Sequence, residues 1–146
     1  MMNKWVEKPW GRTKLVSSTI AGNYYITGHF LEIKIGGYSS VHAHRLRDNL
    51  FVLITGKLLI ISRSKDGYIK LTILNSKSKN SVCFTVAKNL EHAFVALSDC
   101  KVVEKYNSIL PADNENDIYR ISQNGICDPE KLHELVKKLI CLMTRS

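Results

Sequence analysis

Apolar and polar residues alternate with period two through most of the chain between Thr13 and Tyr106. Alternation of this kind sends successive side chains to opposite faces of an extended segment, so it predicts half-buried strands and not helices. Over 24–35, His29, Leu31, Ile33 and Ile35 share one face while Phe30, Glu32 and Lys34 take the other. Over 49–55, Asn49, Phe51 and Leu53 oppose Leu50, Val52 and Ile54, and Gly56 closes the strand with a turn. A strand over 13–17 precedes these, separated by Ala21-Gly22-Asn23. Segments 57–64 and 68–74 read as a hairpin about Lys65-Asp66-Gly67, because Asp-Gly supplies the positive φ that tight hairpins need. A turn over 76–80, a strand over 84–87, a turn over 88–91, a strand headed by His92 and a strand over 100–106 complete the series. Strand after strand at short spacing, with no helix between, predicts a sandwich or barrel. Closure also removes the exposed edges that an open sheet would carry.

The pattern changes past Asn107. Residues 108–125 are polar and turn-rich, and from Asp128 the period becomes helical: Asp128 suits the N-cap, Pro129 the first helical position, and Leu132, Leu135, Val136, Leu139 and Met143 form one stripe. The stripe predicts docking on the barrel or across a dimer, in preference to a membrane. At the other end, Pro9 blocks helix, Gly11 permits a bend, and Trp5 and Trp10 favour packing of this arm on the barrel or on a neighbouring subunit. The division expected is an arm over 1–12, a barrel over 13–125 and a helix over 126–146.

Composition narrows the function classes. The chain has 146 residues, enough for one domain with a sizeable core, and no apolar run approaches a membrane span. Its first residues, MMNKWVEKPWGR, contain no apolar signal core, so a cytoplasmic location is expected. Cys83, Cys100, Cys127 and Cys141 are widely spaced without a CxxC pair, which favours idle thiols over a disulfide or zinc-finger framework. The net charge of +8 raises the question of nucleic acid. Its lysines and arginines are scattered through loops and strand faces, however, which disfavours a nucleic-acid surface and leaves an anionic small molecule as the partner that basicity favours.

The chemistry concentrates between Gly36 and Gly56. His42 and His44, two apart, present both imidazoles on one strand face. The spacing Gly36, His42, His44, Asn49, Gly56 resembles the first motif of the cupins, small jelly-roll proteins in which the Asn49 position is usually a glutamate. SVCFTVAKNLEHAFVAL, residues 81–97, resembles the second motif and supplies His92; Asn89 stands in its turn, and Asn tolerates the left-handed conformation a glycine would adopt there. EKPWG near the start and NDIYR at 116–120 resemble segments of cupins related to type II mannose-6-phosphate isomerases and to the isomerase domain fused to mannose-1-phosphate guanylyltransferases. The resemblance covers about residues 6–125.

The resemblance implies an all-β cupin jelly-roll barrel with a C-terminal α-helix, in which His42, His44 and His92 hold a divalent metal such as Zn, Mn, Fe or Ni. Asn49 is the fourth candidate ligand, weaker than a carboxylate; Asp48 is the alternative, but its strand parity faces it away. Glu104 and Tyr106 are candidates for an acid/base pair, against an outward glutamate paired with a surface lysine. Arg45, Arg47 and Lys88 either hold a phosphate or form a solvated rim. By resemblance the activity is isomerisation of a sugar or sugar phosphate; the alternative is a non-catalytic carbohydrate or small-molecule binder. Cupins are commonly homodimers, so a homodimer is expected.

Overall fold

The computed structural model describes residues 3–109 and 117–144. Its strands are β1 (Val6–Lys8), β2 (Gly11–Ala21), β3 (Tyr24–Ile33), β4 (Gly37–Tyr38), β5 (His42–His44), β6 (Arg47–Thr55), β7 (Lys57–Arg63), β8 (Ile69–Asn75), β9 (Cys83–Val86), β10 (His92–Ala96), β11 (Cys100–Ser108), β12 (Ile118–Arg120) and β13 (Gly125–Ile126). A 3₁₀ turn, Pro129–Lys131, leads into the helix α1 (Leu132–Thr144). One sheet runs β1-β2-β3-β11-β6-β9. In the other, β10 is the hub: it pairs with β7, which carries β8, and with β4 and β5, which carry β13 and β12. Every pairing is antiparallel.

The alternation explains the inner face of the first sheet. Leu31 and Ile33 of β3, Phe51 and Leu53 of β6, and Val102 of β11 point inward and meet Leu58, Ile60, Leu74, Phe94 and Ala96 of the second sheet. Trp10 closes this core from the arm and meets Phe94 edge to face at 5.4 Å. The arm therefore packs on its own barrel, hairpinned through β1 against β2. The run Leu58-Leu59-Ile60-Ile61 breaks the alternation because β7 is covered on both sides. Leu59 and Ile61 face outward and, with Val41, Ala93 and Val95, form a second core beneath Leu139 and Met143 of α1. Burial on both faces gives a continuous apolar run.

Turn chemistry fixes the corners. Asn89 has φ 66, the left-handed conformation expected of it. Gly56 has φ 101, and a Cβ there would collide with the carbonyl oxygen of Asp99. The helix begins as expected, with Asp128 accepting from the Glu130 amide at 3.1 Å, but its first turn is 3₁₀. Strands β2 and β3 differ from the predicted 13–17 and 24–35, because pairing with β3 carries β2 from Gly11 to Ala21. The stretch 110–116, with Asn116 of NDIYR, lies outside the described residues. The four cysteines are unpaired. No described helix is long and apolar enough to cross a membrane.

Candidate metal centre

Strand β5 is short and lies directly beside β10, with His42 opposite His92 in the register. Residue parity turns His42 and His44 the same way, and the single histidine at the head of β10 joins them. One nitrogen of each of the three lies within 4.8 Å of the others, and the ring centroids are 4.3–5.7 Å apart.

The opposite ring nitrogens are all engaged. Nδ1 of His42 donates to the Ser40 carbonyl at 2.8 Å, Nδ1 of His92 to the Leu90 carbonyl at 3.0 Å, and Nδ1 of His44 to Oδ2 of Asp117 at 2.8 Å. These partners accept only, so each neutral ring carries its proton on Nδ1 and offers the Nε2 lone pair. Nε2 of His92 is buried without a partner among the described residues. A buried acceptor left so costs about 1–3 kcal/mol unless something fills the position. A dication fits that requirement.

Electrostatics keep the rings neutral. Burial chiefly, then the neighbouring His92 and His44, holds His42 well below the ordinary imidazole range. Burial and the Arg47 guanidinium bring His44 down to about 2. Burial brings His92 to about 4, partly offset by its bond to the Leu90 carbonyl. Neutral imidazole is the form that binds metal.

The neighbouring sheet supplies the other wall. On β11, Glu104 stands opposite His29 of β3 and Phe51 of β6, and Tyr106 opposite Thr27 and Asn49, all on the inner face. Asn49 is buried; its Nδ2 donates to Oε2 of Glu104 at 2.7 Å, while its Oδ1 has no partner among the described residues. Burial raises the Glu104 carboxyl, against the pull of Arg47 and the Asn49 bond. Tyr106 shares a 2.8 Å hydrogen bond with Nε2 of His29, and burial pushes its phenol up to about 12. The Arg47 guanidinium lies 3.8 Å above the Tyr106 ring, 3.2 Å from Asp117 Oδ2 through Nε, and 3.3 Å from His44 Nε2 through Nη2. His29, His42, His44, Arg47, Glu104 and Tyr106 line one cavity of about 210 Å³, with the exposed Lys8 and Arg120 also on its wall. A larger hollow of about 510 Å³ beside Arg12, Glu32 and Asp99 contains none of these groups.

Neither a family model nor a curated protein matches the sequence. Solved structures do match in shape. The capsular polysaccharide assembling protein CapF from Staphylococcus aureus superposes with a TM-score of 0.68 at 15% identity, over 82% of this chain and 34% of that one. A variant of Bacillus subtilis oxalate decarboxylase gives 0.64 at 13% identity, over 81% and 30%. KdgF from Halomonas sp. gives 0.61 at 17% identity, over 76% and 90%. This chain is a cupin jelly roll in fold. It spans about a third of the length of CapF and of the decarboxylase.

Within the cupin barrel, the structure brings together His42, His44, His92, Asn49, Glu104, Tyr106 and Arg47. It does not bring in Arg45 or Lys88. Arg45 is exposed, next to the inward His44, and its guanidinium lies 5.8 Å over the Tyr119 ring. Lys88 is exposed in the turn before β10, which is tied down by its amide bonding to Asp48. Asp48 is itself exposed, as parity requires. His29 is no part of the histidine cluster; hydrogen-bonded to Tyr106, it lines the cavity, because parity aims it inward and the core ends at Leu31. Sequence reasoning missed Asp117 and Arg120. Both lie in the NDIYR segment, which resemblance marked without assigning a task; β12 pairs with β5, placing Ile118 opposite His44 and Arg120 opposite His42.

Proposed function

We propose that this cupin is a metal-dependent enzyme acting on a sugar or sugar phosphate by moving a proton between adjacent carbons, as the resemblance to type II mannose-6-phosphate isomerases implies. The observation that carries the reading is the convergence of three Nδ1-anchored imidazoles, with the Nε2 of His92 buried and unmatched, on a cavity that also holds Glu104. Held by His42, His44 and His92, with Asn49 as a weak further donor, a divalent ion supplies a Lewis acid for carbonyl and hydroxyl oxygens. Glu104, ionised and made more basic by burial, takes the proton from the hydroxyl-bearing carbon and returns it to the former carbonyl carbon. The Tyr106–His29 pair passes the second proton between the two oxygens, so atoms and charge balance through an enediol. At about 210 Å³ the cavity lies below the usual ~300–1,000 Å³ of small-molecule sites, which favours a ligand no larger than a monosaccharide inside and any phosphate toward Arg120 and Lys8.

The competing reading is a binder without turnover. Asn49 in place of a carboxylate, and the Arg47 contact on His44, both weaken the hold on a dication.

The deciding experiment is plasma mass spectrometry on tag-free protein purified without chelators, with His42→Ala, His92→Ala and Glu104→Gln alongside. Near-stoichiometric metal in the wild type, lost in both histidine variants and kept in Glu104→Gln, is expected. Sugar-phosphate isomerisation should then fall at least about a hundredfold in Glu104→Gln. No metal after dialysis against manganese, iron, nickel or zinc would sink the enzyme reading. Metal without turnover on any sugar phosphate would leave the binder.

A further inference from the structure

Of the three metal-site imidazoles, only His44 has both ring nitrogens bonded by protein among the described residues: Asp117 accepts from Nδ1, and Arg47 Nη2 donates to Nε2 at 3.3 Å. A guanidinium has donors only, so this contact uses the very lone pair that a metal would need. It also sets a full positive charge beside the three histidines. Metal on His44 and Arg47 on His44 are therefore mutually exclusive.

Arg47 is also the innermost cation of the cavity. Its wall carries Lys8, Arg47 and Arg120 against one carboxylate, Glu104. A planar guanidinium is the group best shaped to take an oxyanion through two parallel hydrogen bonds. Its Nε lies at ion-pair distance, 3.2 Å, from Asp117 Oδ2, and rotation of the planar guanidinium about the Cδ–Nε bond carries the Nη atoms off His44 while Nε stays beside that carboxylate.

We propose that Arg47 couples two ligands: a small oxyanion in the cavity draws the guanidinium off His44 Nε2, so that anion and metal bind cooperatively. This rests on the metal-dependent reading above and deepens it by assigning the ligand a carboxylate, phosphate or comparable oxyanion. Two effects act in the same direction: release of the lone pair, and neutralisation of a positive charge beside the dication. Linkage makes the coupling reciprocal, so metal tightens the anion by the same factor.

Isothermal titration of zinc tests this in wild-type protein and Arg47→Met, each in sodium chloride, sodium sulfate and sodium formate at equal ionic strength. The expected result is zinc affinity about tenfold tighter for wild type in at least one oxyanion salt than in chloride, within the usual range of coupling between sites. Sulfate as the effective salt points to a phosphate-like group, formate to a carboxylate. Arg47→Met should bind zinc tighter than wild type in chloride and show no salt preference. Measurable zinc binding by wild type that is equal in all three salts overturns the coupling while leaving the metal site intact. Flat titrations for wild type in every salt overturn the metal reading and the coupling with it. Because Arg47 contacts the buried Asp117, Arg47→Met is checked by circular dichroism; if it does not fold, the wild-type salt comparison alone decides.

Discussion

An imidazole serves a metal only when its proton sits on the far nitrogen, and in this chain that proton is fixed by acceptors of two kinds: two backbone carbonyls and one carboxylate. The carboxylate is the one that substitution can reach. Asp117→Asn keeps the shape but removes the charge, and its amide cannot accept from both His44 and the Leu46 amide, which Oδ1 now holds at 2.7 Å. Zinc affinity, measured by competition with a chromophoric chelator, should fall about 10–100-fold; unchanged affinity would show that the His44 tautomer does not depend on Asp117. Strand parity made much of this site readable. The i, i+2 spacing put His42 and His44 together, whereas Glu104 stood open between an acid/base role and an outward pairing with a lysine until its place in β11, opposite His29 and Phe51, turned it inward. The basic residues were harder. Arg45 and Arg47 share a parity in sequence, yet only Arg47 opens β6 on the cavity side while Arg45 sits in the bend before it. Asp117 was not readable as a partner of His44, because nothing local links residues 73 apart.

At the scale of elements, the two faces of β7 and β10 hold the molecule together. Alternation fails at Leu58–Ile61 for a physical reason: a helix covers the outside. The helix was visible from Asp128, Pro129 and its stripe, while its landing place was not, since a stripe names no partner. Leu139 is buried against the second core. Leu139→Ala should cost about 2–5 kcal/mol and lower the melting temperature by roughly 6–15 °C in calorimetry, with zinc stoichiometry unchanged. A loss below 1 kcal/mol would mean that the helix adds little to the barrel. The β9–β10 turn carries a separate test. Asn89 adopts φ 66 and its amide donates to the His44 carbonyl at 2.7 Å. Asn89→Gly should be nearly neutral and Asn89→Ala destabilising by about 1–2 kcal/mol in urea titrations, reflecting the left-handed penalty. Equal costs would place the turn's stability elsewhere.

For the whole molecule, the buried histidines dictate a response to acid. His29, His42, His44 and His92 all have pKa values lowered by burial, so below about 6.5 the unfolded chain binds protons that the folded chain refuses. Their stabilising contribution is present above the ordinary imidazole value and drains away as pH falls, toward about 4 for His92 and about 2 for His44. Glu104 acts oppositely: its raised carboxyl favours the fold below its ordinary value of 4.5 and gives that up above it. With four groups against one, urea midpoints should decline steadily from pH 7 to pH 4; a flat profile would mean the imidazoles are not sequestered. The barrel and the His42–His44 pair were legible from short-range periodicity, and His92 was legible through the resemblance to the second cupin motif. The closing strand was not. That strand has a consequence in time. A chain emerging from the ribosome has all three histidines long before it has residue 117, and until β12 docks on β5, His44 lacks its acceptor and is free to hold either tautomer. On the proposed metal-binding reading, the nascent barrel would be a poor competitor for metal until the polypeptide has been synthesised past β12. Ribosome-stalled chains ending near residue 109 would trap zinc weakly, and those extending through α1 would trap it well, so that metal acquisition reports completion of the fold.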